Sequence, residues 1–330
     1  MGLGVLVGFL FYVGINSIVQ TLLSVNPLVI AAMVALQLFG FGFYSTAWYQ
    51  LILATGYRIR FRVCLGIALA SIFAVYVMPS GVFMEVLRCI LGSKETGMPF
   101  GESTASVVLH RILYIVGFLA STALALFFVL ESHISSSVSL FALAAIPIAT
   151  VAGLGFLLYF SLDPGKISPS LERVLRWAQP VIRLVLKEAV LEGKANQFLG
   201  EYEAGFKRMV TSRRRMTESF IASLCDWTCS VAILGTVLYA LDSNTSVWVV
   251  VITVSIGRMI QMTPIAIPGM IGVYETAVTT VLALFGVPVS IAASAAILSR
   301  LVTVWLELPI TGVAAYHYGF KLLGKHAVHL

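Results

Sequence analysis

The chain has 330 residues, of which 59% are hydrophobic and only 11% are charged, with a net charge of +6. Its mean hydropathy is +0.97. A soluble domain carries about 25% charged and about 45–50% apolar residues, so this chain has too few polar residues to cover a soluble surface. Disordered chains, collagens and disulfide scaffolds are excluded by the same composition. We therefore predict an all-α, polytopic membrane protein with a single transmembrane domain over residues 1–330.

The apolar runs, in chain order, are 3–23, 28–54, 63–78, 103–130, 138–161, 217–241, 247–263 and 289–316, with shorter arms at 81–91 and 269–285. A membrane crossing needs about 20 residues. The runs 63–78 and 247–263 are shorter than that, each ends at a proline, and each is followed by one of the shorter arms. This pattern is typical of a broken or re-entrant helical hairpin.

The distribution of basic residues predicts the orientation of the chain. Residues 55–62 are rich in Arg, and residues 162–215 hold 11 of the 21 Lys and Arg residues. The connections at 131–137 and 242–246 contain neither Lys nor Arg. We therefore place 55–62, 162–215 and the C-terminus in the cytoplasm, as expected for a multi-pass protein of the plasma (cell) membrane.

The basic segment 162–215 has apolar residues at helical spacing, which predicts an amphipathic helix. Its 11 basic and six acidic residues suit contact with an anionic leaflet. The alternative is that this charge only reflects the positive-inside rule. No nucleic-acid-binding module accompanies the charge, so we expect no nucleic acid partner. A homo-oligomer remains an open alternative.

This orientation constrains the two interrupted segments. Residues 63–102 must enter and leave the membrane from the cytoplasmic side, and residues 247–288 from the outer side. We therefore predict two re-entrant hairpins whose tips meet near the middle of the bilayer. The predicted tip residues are Pro79, Ser80, Gly81, Pro268, Gly269 and Gly272.

The two hairpins also resemble each other in sequence. Pro79 and Arg111 recur 189 residues later as Pro268 and Arg300. An equal offset at matched positions predicts an inverted repeat, an architecture of transporters that places the binding site at the repeat interface. The predicted repeat halves are residues 28–130 and 217–316.

Ionisable side chains at membrane depth cost at least about 2.5–3.5 kcal/mol each, so they usually face a partner or a wet cavity. Similar depths predict ion pairs between Glu85 and Arg111 and between Glu275 and Arg300. One interpretation is that these pairs line a polar path for a charged headgroup. The alternative is that they only fix each hairpin to the neighbouring helix. The candidate path residues are Glu85, Arg88, His110, Arg111, Arg258, Glu275 and Arg300.

Two more acidic residues lie in apolar runs. Asp226 is a further deep charge, whereas Glu307 precedes Pro309 near the inner end of the last run and is expected at the membrane interface. Cys225 and Cys229 share a helix face, but no His stands beside them to complete a metal site. The sequence contains no HExxH, P-loop or GxSxG motif. We therefore expect no metal, no cofactor, no catalytic residue and no enzymatic activity.

Several segments resemble the lysylphosphatidylglycerol synthase transmembrane-region family, the flippase-like part of the multiple peptide resistance factor, which also occurs as stand-alone membrane proteins. The resemblance is carried by Pro79-Ser-Gly-Val-Phe-Met-Glu85-Val-Leu-Arg88, by Ile267-Pro-Gly-Met-Ile-Gly-Val-Tyr-Glu275, by Gly286-Val-Pro288 and by Arg300. It implies a membrane protein that moves a polar, often aminoacylated, phospholipid between leaflets. The family's soluble aminoacyl-transfer domain is not recognised, so we expect no synthesis of such lipids.

The leading hypothesis is therefore a lipid flippase whose partner is a phospholipid. One alternative is a proton-coupled secondary transporter of a small solute. Another is a membrane-embedded lipid or glycan transferase. Lipid exchange without solute uptake in proteoliposomes distinguishes the first hypothesis from the second.

Overall fold

A computed structural model of the chain describes residues 25–77, 82–131, 191–262 and 267–324. These residues form helices joined by short connections, and no β-strand occurs among them. The all-α prediction is therefore confirmed for this part of the chain. The predicted runs 3–23 and 138–161 and the first tip residues Pro79, Ser80 and Gly81 lie outside the described residues.

The helices before residue 132 are α1 (Pro27–Ala54), α2 (Phe61–Val77), α3 (Val82–Thr96) and α4 (Phe100–Glu131). The helices after residue 190 are α5 (Leu191–Thr211), α6 (Arg213–Ala240), α7 (Val247–Met262), α8 (Val273–Leu284), α9 (Val289–Arg300) and α10 (Glu307–Gly324). A π-helical turn, Leu301–Leu306, joins α9 to α10 without a break. Their bounds lie within a few residues of the predicted runs.

Four stretches of the described residues are long and apolar enough to cross a membrane: α1, α4, α6 and the continuous stretch Val289–Tyr318. The start of α1 follows from local sequence, because the Asn26 side chain accepts a hydrogen bond from the Leu28 N–H (2.9 Å) and Pro27 occupies the first turn. The chain is therefore a multi-pass membrane protein, as predicted.

Two pairs of short helices form the predicted hairpins. Helix α2 has 17 residues and α7 has 16, so each is only about 25 Å long, less than the hydrocarbon thickness of about 30 Å. Helix α2 packs against α3, and α7 packs against α8. The shortness of α2 and α7 therefore fits arms that turn back rather than cross.

The break in the second hairpin lies where proline and glycine predict it. Helix α7 ends at Met262, and a single 3-10 turn covers Pro268–Met270 before α8 begins. Gly269 and Gly272 have φ angles of 61° and 87°, which glycine adopts without strain. The predicted interruption at Pro268 is therefore confirmed.

A shared apolar core joins the helices on both sides of the undescribed segment 132–190. Phe118 of α4 and Trp227 of α6 are buried in it, with ring centroids 5.5 Å apart. Helix α1 packs along α6, and Gly40 allows the close approach, since a Cβ there would lie 3.2 Å from Oδ1 of Asp226. The division into two inverted repeat halves remains a prediction.

Helix α5 is the described part of the predicted amphipathic segment, together with the first turn of α6. Its apolar residues Tyr202, Phe206 and Met209 are buried against α4 and its surroundings. Arg208 forms an ion pair with Glu102 of α4 and donates to the Thr55 carbonyl oxygen (3.0 Å). The apolar face of α5 is therefore buried within the protein, and contact of the segment with an anionic leaflet remains a prediction.

Candidate functional site

A cavity of about 410 Å³ lies where the two hairpins and the long helices meet. Its volume falls in the usual range for small-molecule sites, about 300–1,000 Å³. One part of the wall is apolar, with Leu36 and Phe41 of α1, Ile115 of α4 and Ile233 of α6. The charged residues that line the cavity are Glu85, Arg111, Asp226, Arg258, Arg300 and Glu307.

The first predicted ion pair is present. Glu85, in the first turn of α3, pairs through Oε1 with Arg111 of α4. Its Oε2 accepts a hydrogen bond from Nη2 of Arg88, one helical turn later, at 2.6 Å. The side chains of Glu85 and Arg111 are 22% and 31% exposed, and both line the cavity. This pair can therefore meet a bound molecule.

Arg88 and His110 lie behind the part of the cavity wall that Glu85 and Arg111 form. The Arg88 side chain is fully buried, and its guanidinium packs against the rings of Tyr44 and Trp48, 5.3 and 5.4 Å from their centroids. Its Nη1 contacts Nδ1 of His110 at 3.1 Å and donates to the Tyr44 hydroxyl. Neither residue lines the cavity among the described residues. Of the predicted path residues, these two are placed to hold Glu85 and Tyr44 in position.

The second predicted ion pair is also present and is more enclosed. Nε of Arg300 donates to Oε1 of Glu275 at 2.8 Å, and each side chain is 5% exposed. Oε2 of Glu275 accepts from the Gly272 N–H at 2.6 Å, while Arg300 also donates to the Gly269 carbonyl. Glu275 therefore ties the hairpin tip to α9, and Arg300 is the member of the pair that lines the cavity.

Arg258 of α7 enters the cavity without an acidic partner. Its Nη2 donates to the Ser230 hydroxyl (2.7 Å) and its Nη1 to the Gln261 side chain (3.3 Å). No carboxylate oxygen of a described residue lies within 4.0 Å of its guanidinium. The structure thus places the predicted path residue Arg258 on the wall with hydrogen bonds to neutral side chains and no ion pair among the described residues.

Sequence reasoning missed Glu307 as a cavity residue. It was expected at the membrane interface, but it lines the cavity, where it accepts hydrogen bonds from the Tyr76 hydroxyl (2.7 Å) and from Nε2 of Gln37 (2.8 Å). Counting residues gives a depth along a helix, but not the partners that other helices supply. The sequence does contain one indication of this position: Glu307 lies seven residues, about two helical turns, after Arg300, which puts both residues on the same face of the helical stretch.

Asp226 of α6 is the other acidic residue on the wall that was not among the predicted path residues. It faces α1 at Gly40 and lies within electrostatic range of Arg258 and Glu307. Its neighbours Trp227 and Cys229 are buried and apolar, so the sequence around it is that of an ordinary crossing. Only the packing of α6 against α1 turns its carboxyl toward the cavity.

Tyr76 joins the two hairpins. It lies next to the end of α2, and its hydroxyl, which donates to Glu307, also lies 3.1 Å from the Thr303 carbonyl oxygen. A Cβ on Gly269 would lie 3.2 Å from Cδ1 of the Tyr76 ring. The inner end of the first hairpin arm therefore contacts the tip of the second hairpin, which fits tips that meet inside the molecule.

Metal ligation is not supported by any described cluster, since no group of three or more His, Cys, Asp or Glu side chains is arranged to hold an ion in this part of the chain. The chemistry offered by the cavity is that of guanidinium, carboxylate and hydroxyl groups beside an apolar wall. Such a site can bind a molecule that carries charge at one end and hydrocarbon at the other.

The comparisons with known proteins agree with this architecture. The model of the lysylphosphatidylglycerol synthase TM region matches residues 1–310. A UPF0104 membrane protein of Methanothermobacter thermautotrophicus is 22% identical over 317 residues, covering 94% of this chain and 90% of that protein. A second UPF0104 membrane protein, from Methanocaldococcus jannaschii, is 28% identical over 173 residues, covering 46% and 50%. The chain therefore belongs to the lysylphosphatidylglycerol synthase transmembrane-region family.

Proposed function

We propose that this protein moves a phospholipid between the two leaflets, with the polar headgroup passing through the cavity and the acyl chains remaining in the bilayer. The observation that carries the proposal is the cavity itself, where three arginines and three carboxylates line a space between two interrupted helical hairpins. Because each ionisable group at membrane depth costs at least about 2.5–3.5 kcal/mol, six of them at one cavity favour a polar cargo.

The apolar part of the wall supports a lipid over a fully polar solute. Ile115, Ile233 and Leu234 line the same space as the charged groups, so an amphipathic molecule finds a matching surface at each end. The family name refers to a lipid, lysylphosphatidylglycerol, and family membership supports a phospholipid cargo, including an aminoacylated one. On this proposal the chain transports lipid and does not catalyse a reaction.

The proposal includes an orientation. The two hairpins enter from opposite faces of the plasma membrane, and residues 162–215 and the C-terminus lie in the cytoplasm. The basic residues of that segment then face the anionic inner leaflet. Since no nucleotide-binding motif is present, the movement is passive or coupled to an ion gradient.

The test uses the purified full chain in proteoliposomes that contain phospholipid labelled on an acyl chain with the fluorophore NBD. Dithionite added outside bleaches only the outer leaflet, so loss of the protected signal reports movement between leaflets. We expect loss of the protected signal with the wild-type chain and not with protein-free vesicles. Uptake of labelled small solutes, without lipid movement, would refute the proposal and support the secondary-transporter alternative.

Arg111→Gln provides the matched variant. It removes a cavity-lining charge and leaves the second carboxylate contact of Glu85, that with Arg88, in place. We expect slower lipid movement at an unchanged yield of folded protein. Arg214→Gln is the control, because Arg214 forms an exposed pair with Glu218 at the start of α6. Equal rates for both variants and the wild type would contradict a role for the cavity.

A further inference from the structure

Charge compensation in the cavity is incomplete. Glu85 forms ion pairs with both Arg88 and Arg111, which leaves one excess positive charge in that cluster, and Arg300 is paired with Glu275. Three further lining residues, Arg258, Asp226 and Glu307, form no ion pair with any described residue. Because Tyr76 and Gln37 already donate to Glu307, the described part of the cavity presents one guanidinium without an ion pair and one carboxyl group, that of Asp226, without a hydrogen-bond donor.

Arg258 and Asp226 lie on neighbouring helices, α7 and α6, and form no contact ion pair. They are close enough to interact electrostatically, but their charged atoms are separated by more than the 4.0 Å of an ion pair. Ser230, one turn after Asp226 on α6, accepts a hydrogen bond from Nη2 of Arg258 at 2.7 Å. The Ser230 hydroxyl thus holds the Arg258 guanidinium near Asp226, but outside ion-pair distance of its carboxyl group.

The Asp226 carboxyl group has no hydrogen-bond donor among the described side chains. Its close neighbour Gly40 on α1 has no side chain to donate, and a Cβ there would lie 3.2 Å from Oδ1 of Asp226. Glu307 differs, because Tyr76 and Gln37 already donate to both of its oxygens. Asp226 is half-buried and lines the cavity, so its carboxyl oxygens are open to a ligand, and a ligand with a cationic donor can supply the hydrogen bond that they lack.

We propose that the cavity selects a zwitterion, with a phosphate group bound at Arg258 and a primary ammonium group bound at Asp226. This inference rests on the proposed function and narrows it to headgroups that carry both charges. A guanidinium presents a planar fork of donors that matches phosphate oxygens. An ammonium group offers three donors and no acceptor, which suits a carboxylate that has none.

Single-charge ligands leave one of the two groups unmatched. An anionic headgroup without an amine would satisfy Arg258 but would enclose Asp226 without a donor. An ammonium compound without an anion would satisfy Asp226 but would leave Arg258 with only the neutral Ser230 and Gln261. The zwitterion is the ligand class that compensates both.

The experiment compares acyl-NBD phosphatidylethanolamine, which carries phosphate and ammonium, with acyl-NBD phosphatidylglycerol, which carries phosphate alone. Both are measured in proteoliposomes by dithionite protection. For the wild-type chain we expect the ethanolamine lipid to move at least about tenfold faster, which corresponds to about 1.4 kcal/mol. In Asp226→Asn that preference should disappear, because the rate for the ethanolamine lipid falls to the rate for the glycerol lipid.

Two variants control the interpretation. Asp226→Glu keeps the carboxylate and should retain part of the preference. Asp242→Asn changes an acid in the loop after α6, at a φ of 52° that asparagine tolerates, and should leave both rates unchanged. If Asp226→Asn does not fold, competition on the wild-type chain decides: O-phosphoethanolamine should slow lipid movement more than glycerol phosphate.

The outcomes separate the inference from the proposed function. Equal rates for the two lipids in the wild-type chain would refute the zwitterion site while leaving lipid translocation standing. Movement of neither lipid would refute the proposed function. If neither lipid moves but wild-type protein binds O-phosphoethanolamine and Asp226→Asn does not, the zwitterion site stands and its ligand is water-soluble.

Discussion

Replacing Glu275 with glutamine disrupts the most enclosed ion pair of the site. The two carboxylate oxygens of Glu275 accept from Nε of Arg300 (2.8 Å) and from the Gly272 N–H (2.6 Å). A glutamine amide has one acceptor oxygen and one donor group, so either Arg300 or the Gly272 N–H would face a donor. Because Glu275 and Arg300 are each 5% exposed, water has little access to replace the lost partner.

The expected effect of Glu275→Gln is therefore on stability as well as transport. Breaking a buried ion pair by removing one partner costs about 3–5 kcal/mol. The Tm shift is about 2–4 °C per kcal/mol for 150–250 residues and decreases with length, so for this chain of 330 residues the lower end applies and the Tm should fall by roughly 6–10 °C. The measurement is thermal unfolding of the purified chain in detergent, followed by tryptophan fluorescence.

Glu307→Gln is the matched control for that experiment. Glu307 is also an acid on the same helical stretch as Arg300, but its two contacts come from the neutral Tyr76 and Gln37, so its Tm should fall less. If Glu275→Gln melts like the wild-type chain yet moves no lipid, the carboxylate acts in transport without holding the tip. That result would refute the structural assignment of Glu275.

Two further predictions concern contacts between elements. Tyr76→Phe removes a hydrogen bond to a carboxylate, worth about 1.5–3 kcal/mol, and should lower both the Tm and the rate of lipid movement. The control Tyr239→Phe changes a side chain that is 83% exposed and should alter neither quantity. Equal behaviour of the two variants would argue against a contact between the hairpins. Gly101→Ala places a Cβ against the Phe198 carbonyl oxygen and should loosen α5, seen as faster hydrogen exchange of its amides. The control Gly200→Ala, with open space around the added Cβ, should leave that exchange unchanged. If the α5 amides of Gly101→Ala exchange as slowly as those of the wild-type chain, the close packing of α5 against Gly101 of α4 is contradicted.

The helices and their interruptions were predictable because the constraint that sets them is local. A bilayer requires apolar residues over about 20 consecutive positions, so hydropathy alone marks α1, α4 and α6. Proline in a helix interior removes a backbone donor and glycine adopts positive φ without strain, and the break at Pro268–Met270 combines those two residue types. The two ion pairs were also predictable, since each joins residues at similar depth within one predicted half.

The side of each helix that faces the cavity was not predictable. Helix α1 is apolar all round, so its sequence does not show that Gly40 faces α6 or that Gln37 faces Glu307. Arg88 and His110 look like path residues by type and depth, but neighbouring Tyr44 and Trp48 enclose Arg88. Rotation about a helix axis is set by contacts with segments far away in the sequence, which single-chain patterns do not record.

The amino-acid sequence by itself determined that the protein is helical, crosses a membrane several times, and pairs an acid with an arginine beside each hairpin. Only the tertiary structure decided that Asp226 and Arg258 share one cavity without forming a contact ion pair. The physical reason is that the bilayer acts on every residue of a segment separately, through the cost of burying polar groups. Charge complementarity in the cavity, in contrast, depends on which faces of α1, α6 and α7 pack together.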